Sequence, residues 1–510
     1  MRGYVFKLLA AVLCLVVLCS SLSSCGLFFD EGYNFVGLDK ILSWIYGYED
    51  AEVEDNAFVC YLGEDEKYHV CVNGVEIDQP FKGEVELNTS DDNWFAYVAD
   101  RYDGKMDIYI LYSDAKIKLA VRAADSIVLI SLLYPGVLYS SNGQLRLYDD
   151  YSGDLYVTDL DREFDALFLS SYGGTVVYTL DGHTYMYDAG GESFEIFESG
   201  MVAVGVSGYG EYVYAKYADN DETSLYVYDY YTEEVSEISG SERFINILNM
   251  NENGDEVLFL TGRTKLDDPD DTDYGLRSFV YDHEAKKTYL LGDGFYSPVG
   301  EYYPLSGEGD VVSFADFNDM YFEVWDRVDG SMMPCSMAYV NRRYRSEIVC
   351  EESGVLDGKE KYVYYLDEEN TLWQRDLKKG RDERVWVNVE DFAVTEDGDV
   401  YVLDASGELI YIKGRNLQDT TVARDVKAIK YYAGGDTLYF ENAEGGVERC
   451  DGMETEKTEL EALPQFINFN GKYSYVYCDE YDADGELVRR SIYYTDNGKD
   501  IVKVANELVK

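Results

Sequence analysis

From about residue 57 to residue 505 apolar and polar residues alternate with a period of two, the spacing of half-buried β-strands. One stretch reads Trp94-Phe-Ala-Tyr-Val-Ala99, then Asp103-Gly104, then Asp107-Ile-Tyr-Ile-Leu-Tyr-Ser-Asp114. Others are Thr175–Leu180, Asp181-Gly182 and Thr184–Asp188, and Tyr212–Tyr217 with Leu225–Asp229. Similar pairs join Tyr362–Leu366 to Thr371–Asp376, Asp399–Leu403 to Glu408–Ile412, and Asp436–Phe440 to Gly446–Cys450. Asp-Gly supplies the left-handed backbone that two-residue hairpin turns require. Each unit therefore predicts strand, tight turn, second strand and usually a further strand.

The hairpin partners recur near residues 108, 145, 184, 225, 279, 322, 371, 408, 447 and 490, a mean step of roughly 42 residues. That step suits four-stranded propeller blades. One antiparallel unit cannot bury its apolar face alone, so the units must stack. The chain reads as all-β, a β-propeller of four-stranded antiparallel blades. Ten or eleven units exceed the usual four to eight. The count favours two tandem propellers, 57–295 and 296–510, with the break at Gly294-Phe-Tyr-Ser-Pro-Val-Gly300, over one continuous propeller, 57–510.

The repeats resemble the blades of TolB-type and WD-type propellers, most nearly at Asp107-Ile108-Tyr109-Ile110-Leu111 and Leu225-Tyr226-Val227-Tyr228-Asp229. The S-P-D-G of TolB-type blades does not occur. The resemblance implies the fold and, for TolB-like proteins, an envelope scaffold role.

The N-terminus breaks the pattern. Arg2 and Lys7 precede an apolar run from Leu8 to Leu18, then Leu22-Ser23-Ser24-Cys25. The order is that of an export signal, and the run is too short to span a bilayer. The last four residues resemble the lipobox of bacterial lipoproteins. That resemblance implies cleavage after residue 24, lipidation of Cys25 and anchoring on the extracytoplasmic face of the cell membrane. Residues 25–56 read as a tether, with a short amphipathic helix over Val36–Tyr46.

Composition narrows the partners. The chain carries 99 acidic and 43 basic residues, net −56, which opposes binding to nucleic acid and to anionic headgroups. Fifty tyrosines favour pleated strands. Six cysteines follow Cys25, and export permits disulfides. Local pairs, Cys60 with Cys71, Cys335 with Cys350 and Cys450 with Cys478, are the expected bridges, with buried thiols as the alternative.

No catalytic set emerges. Gly205-Val-Ser207-Gly208-Tyr209 only approaches a nucleophile elbow, no His follows His283, and the blade pattern leaves no room for a hydrolase domain. His69, His183 and His283 are far apart. Thr395-Glu-Asp397-Gly-Asp-Val400 is a distant echo of the sialidase Asp-box. Asp267, Asp268, Asp270, Asp271 and Asp273 form a loop of oxygen ligands suited to calcium. Arg342, Arg343, Arg345, Lys378, Lys379 and Arg381 fall within about one blade and form a candidate anion or partner patch. The reading is a membrane-anchored, non-catalytic propeller that binds protein, peptide or glycan. The alternative is a glycan-active hydrolase or lyase with funnel carboxylates.

Overall fold

The hairpins predicted from Asp-Gly turns form as expected in a computed structural model of the chain. Phe95–Tyr102 pairs antiparallel with Lys105–Tyr112, and both turn residues have positive φ, 48° at Asp103 and 73° at Gly104. The structure describes residues 56–507 apart from 90–93, 263–274, most of 300–316 and several shorter gaps. The lipobox, Cys25, the tether helix and the aspartates of 267–273 lie outside the described residues.

Among the described residues there are ten four-stranded sheets and one three-stranded sheet, each antiparallel and in chain order. We number them as blades 1–11. Blade 1 has Phe58–Leu62, Tyr68–Val72 and Val75–Glu76. Blades 2 to 11 begin at Glu84, Ser126, Ala166, Met201, Phe244, Phe295, Val355, Val389, Ala428 and Gln465. In blade 7 a short hairpin, Pro304–Leu305 with Val311–Val312, is inserted between the first and second strands.

Adjacent blades share apolar layers. Val98 and Val85 of blade 2 pack with Phe58 and Val70 of blade 1, and Leu147 of blade 3 packs with Val176 of blade 4. The series continues through Leu291 and Tyr296, so no break falls at 294–299. It ends with Tyr475 and Ile492 of blade 11 against Val59 and Cys71 of blade 1. The last blade thus meets the first, and residues 55–510 form one compact unit. Of the two arrangements open from sequence, the packing is that of the continuous one. First strands of neighbouring blades approach one another, while last strands such as Glu454–Lys457 are exposed, so first strands converge inward.

Two devices position the blades. The first is a polar corner between first and second strands. Ser170, Ser207, Asn251, Asp357 and Thr395 each accept a backbone N–H at the start of the second strand, four or five residues on. Three residues after each corner comes a positive-φ residue, Gly173, Gly210, Gly254, Glu360 or Gly398. In four blades this is an S/T/N-x-x-G frame, so the outline of the absent S-P-D-G is present with other central residues. The second device is tyrosine. Hydroxyls of Tyr97, Tyr214 and Tyr364 donate to the corner carbonyls of Gly136, Gly254 and Gly398 in the next blade. Tyr475 accepts the Gly74 N–H of blade 1 at 3.0 Å, 401 residues away. Tyrosine suits this role because its ring fills the layer while its hydroxyl reaches across.

Candidate binding site

A cavity of about 1130 Å³ opens where the first strands of blades 8, 9 and 10 converge beside Val299 and Glu323 of blade 7. Its walls include Gly354–Leu356, Asp391–Asp397 and Ile429–Tyr431. The corner of blade 8 lies on that of blade 9: a Cβ at Gly358 would come within 2.8 Å of the Glu396 carbonyl oxygen. This close approach fixes the floor.

The polar groups differ in how firmly they are held. Trp325 Nε1 donates to Glu323 at 3.2 Å. Tyr431 donates to Asp436 at 2.6 Å, which orients its ring. Asp391 is exposed to solvent on one side, yet the protein around its other side, and further Glu390, hold it above the usual carboxylate range; the Phe392 N–H and Lys430 oppose this. Lys359 and Asp397 pair at 2.6 Å on the rim, with 62% and 78% of their side chains exposed, so the pair adds little stability. The cavity presents carboxylates, lysines and two aromatic rings, Phe392 and Tyr431, and among its described lining residues there is no His or Cys. Such a surface can hydrogen-bond hydroxyl or ammonium groups and stack against a flat apolar face.

The residues singled out from sequence fall elsewhere. Ser207 is fully buried as the corner of blade 5, and Thr395 is the corner of blade 9. His69 lies between Asp65 and Glu76 at 3.0 and 2.6 Å, His183 beside Glu195 at 2.7 Å, and His283 beside Asp229 at 3.2 Å. These belong to separate blades, and no group of three metal-ligating side chains occurs among the described residues.

The expected disulfides are not formed; all six cysteines are free. In the first hairpin Val59 faces Cys71 and Cys60 faces Val70. That one-residue offset sends the two side chains to opposite faces of the sheet, so Cys60 packs with blade 2 and Cys71 with blade 11. Cys350 faces Met337 rather than Cys335. Cys450 packs toward blade 9 and Cys478 toward blade 10. Burial pushes the Cys60, Cys71 and Cys450 thiols up to about 12.

The basic residues lie on equivalent turns of consecutive blades. Arg342, Arg343 and Arg345 occupy the third-to-fourth-strand turn of blade 7, and Lys378, Lys379 and Arg381 lie at the same turn of blade 8. Arg342 pairs with Asp319 and Lys379 with Asp376, both at 2.7 Å.

Asp391, Phe392, Lys430 and Tyr431 were not singled out from sequence. Their signal is faint: a pair of acids, Glu390-Asp391, opens a strand that otherwise reads as apolar.

No protein-family model and no curated protein sequence matches the chain. Similar solved structures include a eukaryotic initiation factor, at 9% identity and TM-score 0.37, covering 79% of this chain and 96% of that one. An oligogalacturonate lyase in complex with manganese has 12% identity and TM-score 0.26, covering 86% and 96%. TolB from Acinetobacter baumannii has 13% identity and TM-score 0.25, covering 58% and 77%. Likeness at this level carries no argument about activity, and the propeller assignment rests on the sheets themselves.

Proposed function

We propose that the chain is an extracytoplasmic lipoprotein, lipidated at Cys25, whose propeller is a non-catalytic binding or scaffold module for protein, peptide or glycan. The observation that supports binding most directly is the cavity on the converging first strands, with its carboxylates, lysines and aromatic rings. Rigid blades hold these groups in place, so little ordering is required when a ligand arrives. The envelope location rests on the lipobox resemblance.

A glycan-active hydrolase or lyase is the second reading. It draws on one observation: Asp391, with its raised proton affinity, shares the cavity with Glu323, Glu396 and Asp397.

The test is a glycan and peptide binding screen on the full chain, with and without calcium, run beside Phe392→Ala and Tyr431→Ala. Binding lost in both variants without turnover supports the module. Release of shorter glycans supports the second reading, and binding indifferent to both variants removes the cavity from either.

A further inference from the structure

We propose that the third-to-fourth-strand turns of blades 6, 7 and 8 form a docking arc for a linear polyanion bearing repeated phosphate or carboxylate groups. All sheets run in chain order with antiparallel neighbours, so these turns share one end of the propeller. Contacts confirm the shared end for blades 6 and 7: Tyr344, in the blade 7 turn, donates its hydroxyl to Glu256 at the start of the second strand of blade 6. Its ring stacks on Tyr289 of blade 6 at 4.4 Å.

Five cations on the arc have no ion pair or side-chain hydrogen bond among the described residues: Lys286 on blade 6, Arg343 and Arg345 on blade 7, Lys378 and Arg381 on blade 8. All five are exposed. In a chain with 99 acids, five unpaired cations on the equivalent turns of three consecutive blades are a departure from the composition. Acids are near, with Asp282 and Glu284 on blade 6, Glu347 on blade 7 and Asp376, Asp382 and Glu383 on blade 8. Asp376 is engaged by Lys379 and Asp382 by Arg375, at 2.7 and 2.9 Å.

The turns are also rigid. Buried Tyr344 pins the blade 7 turn from beneath. In the blade 8 turn Asp376 accepts the Lys379 N–H and its carbonyl accepts the Gly380 N–H. The cations are thus presented in a fixed order rather than on a floppy loop. At physiological ionic strength the Debye length is about 8 Å, so acids on other blades are screened, while the exposed Glu284, Glu347 and Glu383 beside the arc weaken its field without reversing it. A linear polymer can follow the arc alone. A flat anionic membrane would also have to meet more of a chain whose net charge is −56, which favours the polymer.

The experiment measures binding of labelled inorganic polyphosphate to the full chain over a salt series. Polygalacturonate, orthophosphate and phosphatidylglycerol vesicles are run as parallel arms. Each neutralised phosphate contributes about −0.7 to the slope of log K against log salt, so engagement of all five cations predicts a slope of about −3.5. Polyphosphate against polygalacturonate distinguishes phosphate from carboxylate polymers, and orthophosphate should bind far more weakly than either. The triple variant Arg343→Glu, Lys378→Glu, Arg381→Glu should bind at least about tenfold more weakly at low salt, with a shallower slope. Lys67→Glu, a charge reversal on blade 1, should bind as the parent does. An unchanged urea midpoint in the triple variant shows that the fold is kept. Absence of polymer binding, equal binding by the triple variant, or binding to vesicles but to neither polymer would overturn the proposal.

Discussion

Replacing Tyr97 by Phe removes one oxygen from the layer between blades 2 and 3 and keeps the ring. That oxygen lies 2.8 Å from the carbonyls of Ser131 and Gly136 and accepts the Gly136 N–H at 2.8 Å. Tyr97, Ser131 and Gly136 are all buried, so water cannot replace the lost partner. The Ser131 N–H also donates to the Gly136 carbonyl, which therefore stays satisfied; the Gly136 N–H does not. One buried donor left alone costs about 1–3 kcal/mol, and the buried Ser131 carbonyl brings the estimate toward the upper half of that range. Tyr475→Phe is the internal comparison. It also removes one hydroxyl, but its partners are the exposed Gly74 N–H, which can turn to water, and the Cys71 thiol, a weak hydrogen-bonding group, so its cost should stay near about 0.5–1 kcal/mol. Urea unfolding of parent and variants gives both values at constant m. If Tyr97→Phe cost no more than Tyr475→Phe, the tyrosine hydroxyls would not be joining the blades as argued.

Two further outcomes follow from the same geometry and a third from the proposed lipid anchor. Gly254→Ala places a Cβ 2.1 Å from that of Ser207 at a φ of 74°, so it should lose about 2–4 kcal/mol in the same assay. At buried Asp107 burial opposes ionisation, but Lys82, the Tyr102 hydroxyl and the Ala123 N–H outweigh it and hold the carboxyl below its ordinary 3.8. Its contribution is therefore full above pH 3.8 and lost as the pH falls through the lower folded value; Asp107→Asn should cost about 1–3 kcal/mol at pH 7 and converge with the parent in acid. Cys25→Ala should move the protein from the membrane to the soluble fraction, and mass spectrometry of the parent should find a lipid on residue 25.

The strands that carry strict alternation and Asp-Gly turns were legible, because period and turn chemistry are local. Asp181-Gly182 closes Thr175–Leu180 onto His183–Asp188, one residue earlier than the expected second strand from Thr184. The first strands were harder to read. Ser126–Ile130 and Phe244–Met250 lean on neighbouring blades on one side and the interior on the other, which blurs their period. The corners could have been found from the recurrence of Ser, Thr or Asn three residues before a glycine. The cysteine pairing failed because sequence shows that two strands are adjacent but not that their register is offset by one residue. The cavity was not legible at all, since Asp391 and Lys430 are brought together only by the packing of blade 9 on blade 10.

The central claim is that ligand binds where the first strands converge. Amide hydrogen exchange on the full chain, with and without the tightest binder from the glycan and peptide screen, addresses it directly. Slowing confined to 354–359, 391–397 and 429–433 is the predicted result. Slowing confined to other blades, or none at saturating ligand, would contradict it.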